Sequence, residues 1–298
     1  MAYTGALDPL TGTTTTNTLS RDVHIETLES FTRATVFRNL VYVQTIQTGS
    51  AGQFIVNGKA SDSTNPATYA RGTQVSITDA EMDERTITLA RPIYEAKRVD
   101  KFEEKVAHYD VRGMITSQMG ESLANKYDKT IAALLLGDVT TGVASNPDEH
   151  AAIEIANDTN KGDSIAAAIF TAKAHLEEND DMGEAYCVLS PMNYALLVQS
   201  GKAVNADYTS GNGGFDSGTV MDIAGVKIFK SNNITGGVAG SVGVVFTRQA
   251  VGVLESIGLQ TNQETQIDFL DATLMTAYYS IGAGILRPES KVVLLDAV

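Results

Sequence analysis

The 298-residue sequence has no tryptophan, one cysteine and six prolines, and its 22 lysines and arginines are outnumbered by 36 aspartates and glutamates. With Cys187 alone, neither an intrachain disulfide nor a metal site of two or more thiolates can form, and a reducing compartment fits best. The net charge of -14 removes the electrostatic attraction that supplies nearly all sequence-independent affinity for phosphate backbones, so nucleic acid is a poor first candidate for a bound partner. Unbroken apolar runs such as 131–136 fall far short of the ~20 residues a bilayer requires, and a soluble protein without membrane contact is expected. Residues 1–10 lack the basic start and apolar stretch of a secretory signal, so export is not expected.

What remains is ordinary globular material, 43% apolar and 19% charged with 26 glycines. A compact chain of this length buries roughly 75% of its extended surface, enough to fold without staples.

A search for chemistry returns little. His24, His108, His150 and His175 fall on four different predicted elements, none paired at metal-ligand spacing. Residues 52–59 have the glycines and lysine of a phosphate loop at the wrong spacing, and Ala60 stands where a hydroxyl should hold magnesium. Residues 158–162 approach a calcium loop, but the glycine comes one position early and Ile169 replaces the bidentate glutamate. No Gly-x-Ser-x-Gly elbow occurs, and the acidic clusters 177–181 and 79–84 read as a solvated helix end and a turn. No catalytic residue, cofactor or metal is expected.

The chain is punctuated clearly. The threonine-rich tract at 11–18 cannot repay its ordering entropy alone and reads as a tail or arm. Residues 22–40 fit a helical face loosely and lead into a β-branched strand at 41–46. Short β-rich runs follow at 53–57, 73–78 and 86–90, each with only one or two inward aliphatics. An isolated two-stranded ribbon of this kind is marginal in water and needs cover, from the rest of the chain or from another copy.

From His108 to Leu136 the pattern becomes helical, with Val111, Ile115, Met119, Leu123, Tyr127, Ile131 and Leu135 recurring every fourth residue. At 3.6 residues per turn this stripe drifts about 40° per step and must meet several partners. Gly113, Ser117, Gly120 and Ala124 form a second row of small residues. Each helical glycine costs about 1 kcal/mol relative to alanine, which close approach by another backbone would offset; a break at one glycine is the alternative.

A second amphipathic helix is expected from a cap at Asp163 or Ser164, with Ile165, Ile169, Ala172 and Leu176 on one face. Residues 186–189 read as a buried strand, Ser190 and Pro191 as N-cap and N1, and 192–200 as a helix closed by Gly201. Residues 201–218 read as a loop, and strands are expected at 226–229, 242–246, 265–269, 274–281 and 291–295.

One segment goes beyond pattern. His108-Tyr-Asp-Val-Arg112 followed by residues 116–124, Thr-Ser-Gln-Met-Gly-Glu-Ser-Leu-Ala, resembles the start of the spine helix in major capsid proteins of short-tailed, T-seven-like podoviruses. The resemblance extends to Gln53-Phe54 with Val56 and Gly58, to residues 186–194 and to residues 284–289, in the family's order. It covers roughly residues 45–298; the first 45 residues show no convincing match.

This resemblance implies an α+β chain of the Hong Kong 97-type capsid fold. Its parts would be an N-terminal arm at 1–50, an extended β-hairpin loop at 51–99, and a peripheral domain with the spine helix at 100–160. An axial domain would occupy 161–267, and 268–298 would return as strands of the peripheral sheet.

The function implied is a virion major capsid protein, assembling in the host cytoplasm into hexamers and pentamers of an icosahedral shell around double-stranded DNA that it does not bind tightly. Portal and scaffolding proteins, and a decoration protein, would be partners. Phe54, Val56, Lys59, Tyr69, Arg71, Val75, Ile77, Arg112, Gly113, Gly120 and Arg287 are the expected assembly-interface residues. The loop's apolar face is expected to lie on a neighbour's spine helix. The lysine-asparagine crosslink of the fold's namesake is not expected at Lys59. Two alternatives stand beside this reading: a cargo-enclosing bacterial nanocompartment shell of the same fold, and an α/β enzyme.

Overall fold

The computed structural model describes residues 13–47, 49, 51–56, 68, 71–72, 74, 83–106, 111–137, 151–156, 160–200, 213–214, 219–220, 222–236, 240–266 and 272–297. Helix α1 spans Thr13–Ala34 and leads through a short 3-10 turn at Phe37–Asn39 into strand β1, Tyr42–Thr45. Strands β2, Ala51–Val56, and β3, Asp83–Thr88, form an antiparallel hairpin. β4, Ile93–Val99, is followed by the short helix α2, Lys101–Val106, and the spine helix α3, Val111–Leu136. Then come β5, Ala151–Ile155; α4, Lys161–Glu178; β6, Ala185–Leu189; and α5, Pro191–Gln199. β7, Gly213–Gly214, and β8, Thr219–Val220, form a minimal pair. β9, Asp222–Ile223; β10, Val226–Lys230; β11, Ser241–Thr247; β12, Val251–Gln266; β13, Ala272–Ile285; and β14, Lys291–Asp296, complete the chain.

Two sheets organise these elements. A four-stranded sheet has the order β1-β12-β13-β4, and a six-stranded sheet the order β5-β14-β11-β6-β10-β9. The spine helix joins them. Its drifting stripe packs with Met275, Ala277, Tyr279 and Ile281 of β13 and with Val244, Phe246, Val293 and Leu295 of the six-stranded sheet, in one core. The opposite face of the six-stranded sheet, including Cys187, Leu189, Val245 and Leu294, packs on Ile165, Ile169, Ala172 and Leu176 of α4 and on Leu197 of α5.

Local signals explain several boundaries. At Ser190 the side chain accepts from the N-H of Asn193, Pro191 occupies the first helical position, and all five residues of β6 are buried, as that tripartite pattern predicts. Gly201 lies outside the described residues. α4 starts earlier than expected, with Asn160 rather than Asp163 or Ser164 at the N-cap. The spine is one unbroken helix through Gly113 and Gly120.

Other expectations change. Part of the threonine-rich tract is helical, because α1 begins at Thr13. β4 was not anticipated; it lies inside the 51–99 segment yet pairs with β13 in the four-stranded sheet. Of the strand expected at 265–269, residues 265 and 266 are the end of the 16-residue β12, which pairs with β13, and 267–269 lie outside the described residues. β5 and β14 pair with each other, β14 also with β11, so 151–155 and 291–296 belong to the six-stranded sheet. Hydrogen bonding across the sheets, which local patterns do not report, sets these boundaries.

Candidate assembly surfaces

The spine carries α1 on one side of a narrow seam. A Cβ built on Gly120 would stand 2.6 Å from the carbonyl oxygen of Thr27 and 2.8 Å from Cβ of Ser30. Around this approach, Ser30 Oγ donates to the Ser117 carbonyl at 2.7 Å and Thr116 Oγ1 to Glu26 at 2.8 Å. The close neighbour of the small-residue row is therefore the chain's own α1.

Further along the spine lies a polar node. Tyr127 donates to Glu255 at 2.9 Å, and Arg38 grips the same carboxylate through Nε at 3.0 Å and its terminal nitrogen at 2.9 Å. The hydrogen bond with Glu255 raises the pKa of Arg38, while burial, with Glu255 next, pushes the Tyr127 hydroxyl well above its usual range. Burial alone pushes up the Cys187 thiol, which leaves it inert. Lys291 is fully buried, and its ammonium donates to the carbonyls of Leu134, Leu135 and Gly137 at 3.0, 3.2 and 3.3 Å. It thereby satisfies orphan acceptors at the negative end of the spine helix.

The hairpin is fixed at its base. Phe54 is only 4% exposed and packs with Ile87, Leu254 and Leu286. Gly52 lies against Leu254, Gly284 against Ile87, and Gly282 under the carbonyl of Thr88. These contacts fall on the face of the four-stranded sheet opposite the spine, and Ser280 extends them by donating to the Ala90 carbonyl at 3.1 Å.

Beyond Ser280 that same face is bare among the described residues. Its rows are Tyr94, Tyr278 and Gln260; Ala96, Thr276 and Asn262; and Arg98, Leu274 and Glu264, matched by strand register. The β4 and β12 members are exposed and the β13 members half-buried, with Tyr94 74% exposed.

The expected interface residues now have positions. Phe54, expected to meet a neighbour, is covered within its own chain by Ile87, Leu254 and Leu286. Gly120 is likewise covered by α1. The apolar stripe of the spine, expected to receive a neighbour's loop, is filled by the chain's own sheets and helix. Arg112 is half-buried and donates to Thr273 at 3.5 Å, and Gly113 is half-buried beside it. Arg71 is exposed, and the half-buried Arg287 follows β13, its N-H reaching the Ala250 carbonyl at 3.3 Å. Lys59, Tyr69, Val75 and Ile77 lie outside the described residues, as does the side chain of Val56. Sequence reasoning missed Arg38, Asp128, Glu255, Lys291 and Tyr94; Asp128 alone left a signal, a charge continuing the four-residue spacing of Gly120 and Ala124.

Among the described residues no cluster of three or more potential metal ligands occurs, and no helix is long and apolar enough to cross a membrane. Against this geometry, the family model described as Gp10A-like major capsid protein matches residues 63–245, more than half of the chain.

The chain belongs to that family. This capsid protein is similar to the major capsid protein of Escherichia phage T7, 25% identical over 324 aligned residues that cover 89% of this chain and 88% of the relative. Its structure is similar to the capsid of cyanophage P-SCSP1u, with a TM-score of 0.71, 28% identity and coverage of 89% and 88%. The mature capsid of bacteriophage PhiM1 shares the fold, with a TM-score of 0.69, 18% identity and coverage of 88% and 87%. The fold is that of tailed-phage capsids, the Hong Kong 97-type, and the protein is a major capsid protein of such a phage, with a structural role. The nanocompartment and enzyme alternatives give way to this membership.

Proposed function

We propose that the protein closes into an icosahedral shell of hexamers and pentamers by mutual coverage, each copy's β2–β3 hairpin reaching over the bare half of a neighbour's four-stranded sheet. The observation that carries this is the division of one sheet face. Its first half is occupied by the chain's own hairpin base, and its second half, from Tyr94 and Tyr278 to Leu274 and Glu264, has no covering layer among the described residues. A sheet face with tyrosines and a leucine among polar groups suits a partly polar ribbon better than a dry core.

The shell would enclose double-stranded DNA without gripping it, consistent with a net charge of -14. It would act without catalysis, assemble in the host cytoplasm, and meet portal and scaffolding proteins, with a decoration protein as a further partner.

Deleting residues 60–72, between the two hairpin strands, tests the mechanism by electron microscopy of the purified product. The expected result is soluble capsomers at most. Complete closed shells from this variant would overturn it.

A further inference from the structure

A buried carboxylate with no cation beside it among the described residues sits where three parts of the chain meet. Asp128, on the covered side of the spine, is fully excluded from solvent. One oxygen accepts from the N-H of Val36 at 2.9 Å and the other from the N-H of Phe37 at 3.3 Å, in the turn that leads from α1 towards β1. The Asn233 side chain, on the 3-10 segment between β10 and β11, also hydrogen-bonds the carboxylate and donates to Asn125 of the spine at 3.2 Å. One side chain thus ties the arm turn and the six-stranded sheet to the middle of the spine.

The groups facing it leave its charge unbalanced. From the turn, Arg38 directs its guanidinium to Glu255, and from the spine Tyr127 donates to that same carboxylate. From β13, the Tyr279 hydroxyl donates to the Leu123 carbonyl at 3.2 Å, and the negative charge of Asp128 adds to the burial that resists its ionisation. The 3-10 segment presents neutral Asn232 and Asn233. Among the described residues no cation pairs with Asp128. A buried carboxylate in this position favours its neutral form unless hydrogen bonds compensate fully. Here burial outweighs the bonds from Val36, Phe37 and Asn233 and pushes the carboxyl up to about 6.

We propose that Asp128 is a proton-operated fastener: on mild acidification it takes up a proton and tightens the joint between the arm turn, the spine helix and the six-stranded sheet. The neutral acid keeps acceptor capacity for the backbone N-H groups and no longer carries a buried charge. The sign follows from linkage. In the window between the ordinary value of 3.8 and about 6, the folded chain holds a proton that the unfolded chain has released. Stability from this group is complete below the lower value and is lost as pH rises through the upper one. A carboxylate held by a salt bridge behaves in the opposite way.

Amide exchange at Val36 and Phe37 in the full chain, corrected for the intrinsic effect of pH, reads this joint directly. Protection is expected to be roughly tenfold greater at about pH 5 than at about pH 7.5. In Asp128→Asn, which cannot titrate, protection should be flat across that interval. A carboxyl-carbon titration of Asp128 in the folded wild type supplies an independent reading, with a midpoint near 6 expected. Protection that is unchanged or weaker in acid, a rise that persists in Asp128→Asn, or an ordinary aspartate midpoint would each overturn the proposal.

Discussion

At Gly120 even a methyl group has no room. Its Cβ would meet backbone, the Thr27 carbonyl oxygen at 2.6 Å, and only then the movable side chain of Ser30. Replacing glycine by alanine in a helix ordinarily gains about 1 kcal/mol, whereas forcing atoms into a closed seam costs about 1–3 kcal/mol. For Gly120→Ala the second effect should win, because the nearest atom is backbone, with a net loss of up to about 2 kcal/mol in urea unfolding and faster amide exchange across the described part of α1. A more stable variant would mean that α1 does not hold this position. The need for a close neighbour was legible in the spacing of Gly113 and Gly120, but its identity was not. The partners of the charged pins were illegible for a related reason: Asp128 meets Val36 across 92 positions, and Arg38 meets Glu255 across 217. No local pattern reports a partner at that distance.

Among the elements, those that complete their own hydrogen bonding locally were the readable ones. The spine announced itself by a sustained apolar row, and α5 by the serine cap and proline that precede it. β12 did neither. Its first five residues are buried without alternation and its outer half is almost wholly polar, with irregular register around Ile257, so the alternating burial of 259–264 has no counterpart in an alternation of apolar and polar residues. The hairpin strands were legible as the β-rich runs at 53–57 and 86–90, but nothing local shows which surface receives Phe54. Its contacts with Leu254 and Leu286 instead make it the anchor of β2 and β3 on the body. Phe54→Ala should therefore cost about 3–4 kcal/mol of local stability, appearing as loss of amide protection over residues 52–55 and 84–87 while the spine stays protected. Equal loss in the spine would show that the hairpin and body unfold as one unit.

For the whole molecule, the distribution of cover separates folding from assembly. A continuous core joins both sheets to the spine, so a single copy can hold its described architecture without help from siblings. The exposed half of the four-stranded sheet is different, because its side chains contribute little to the isolated fold. Tyr94 stands on β4 opposite Tyr278 of β13 and is 74% exposed. Changing it to arginine removes no buried contact and should alter unfolding free energy by no more than about 0.5 kcal/mol. If this face receives a neighbour's hairpin as proposed, the same change introduces a long, hydrated charge at the contact. Tyr94→Arg is thus expected to melt like the wild type as unassembled protein and yet fail to form complete particles in electron microscopy. Normal particles of normal stability would remove this face from the list of seats and return the hairpin's partner to the edges of the sheets.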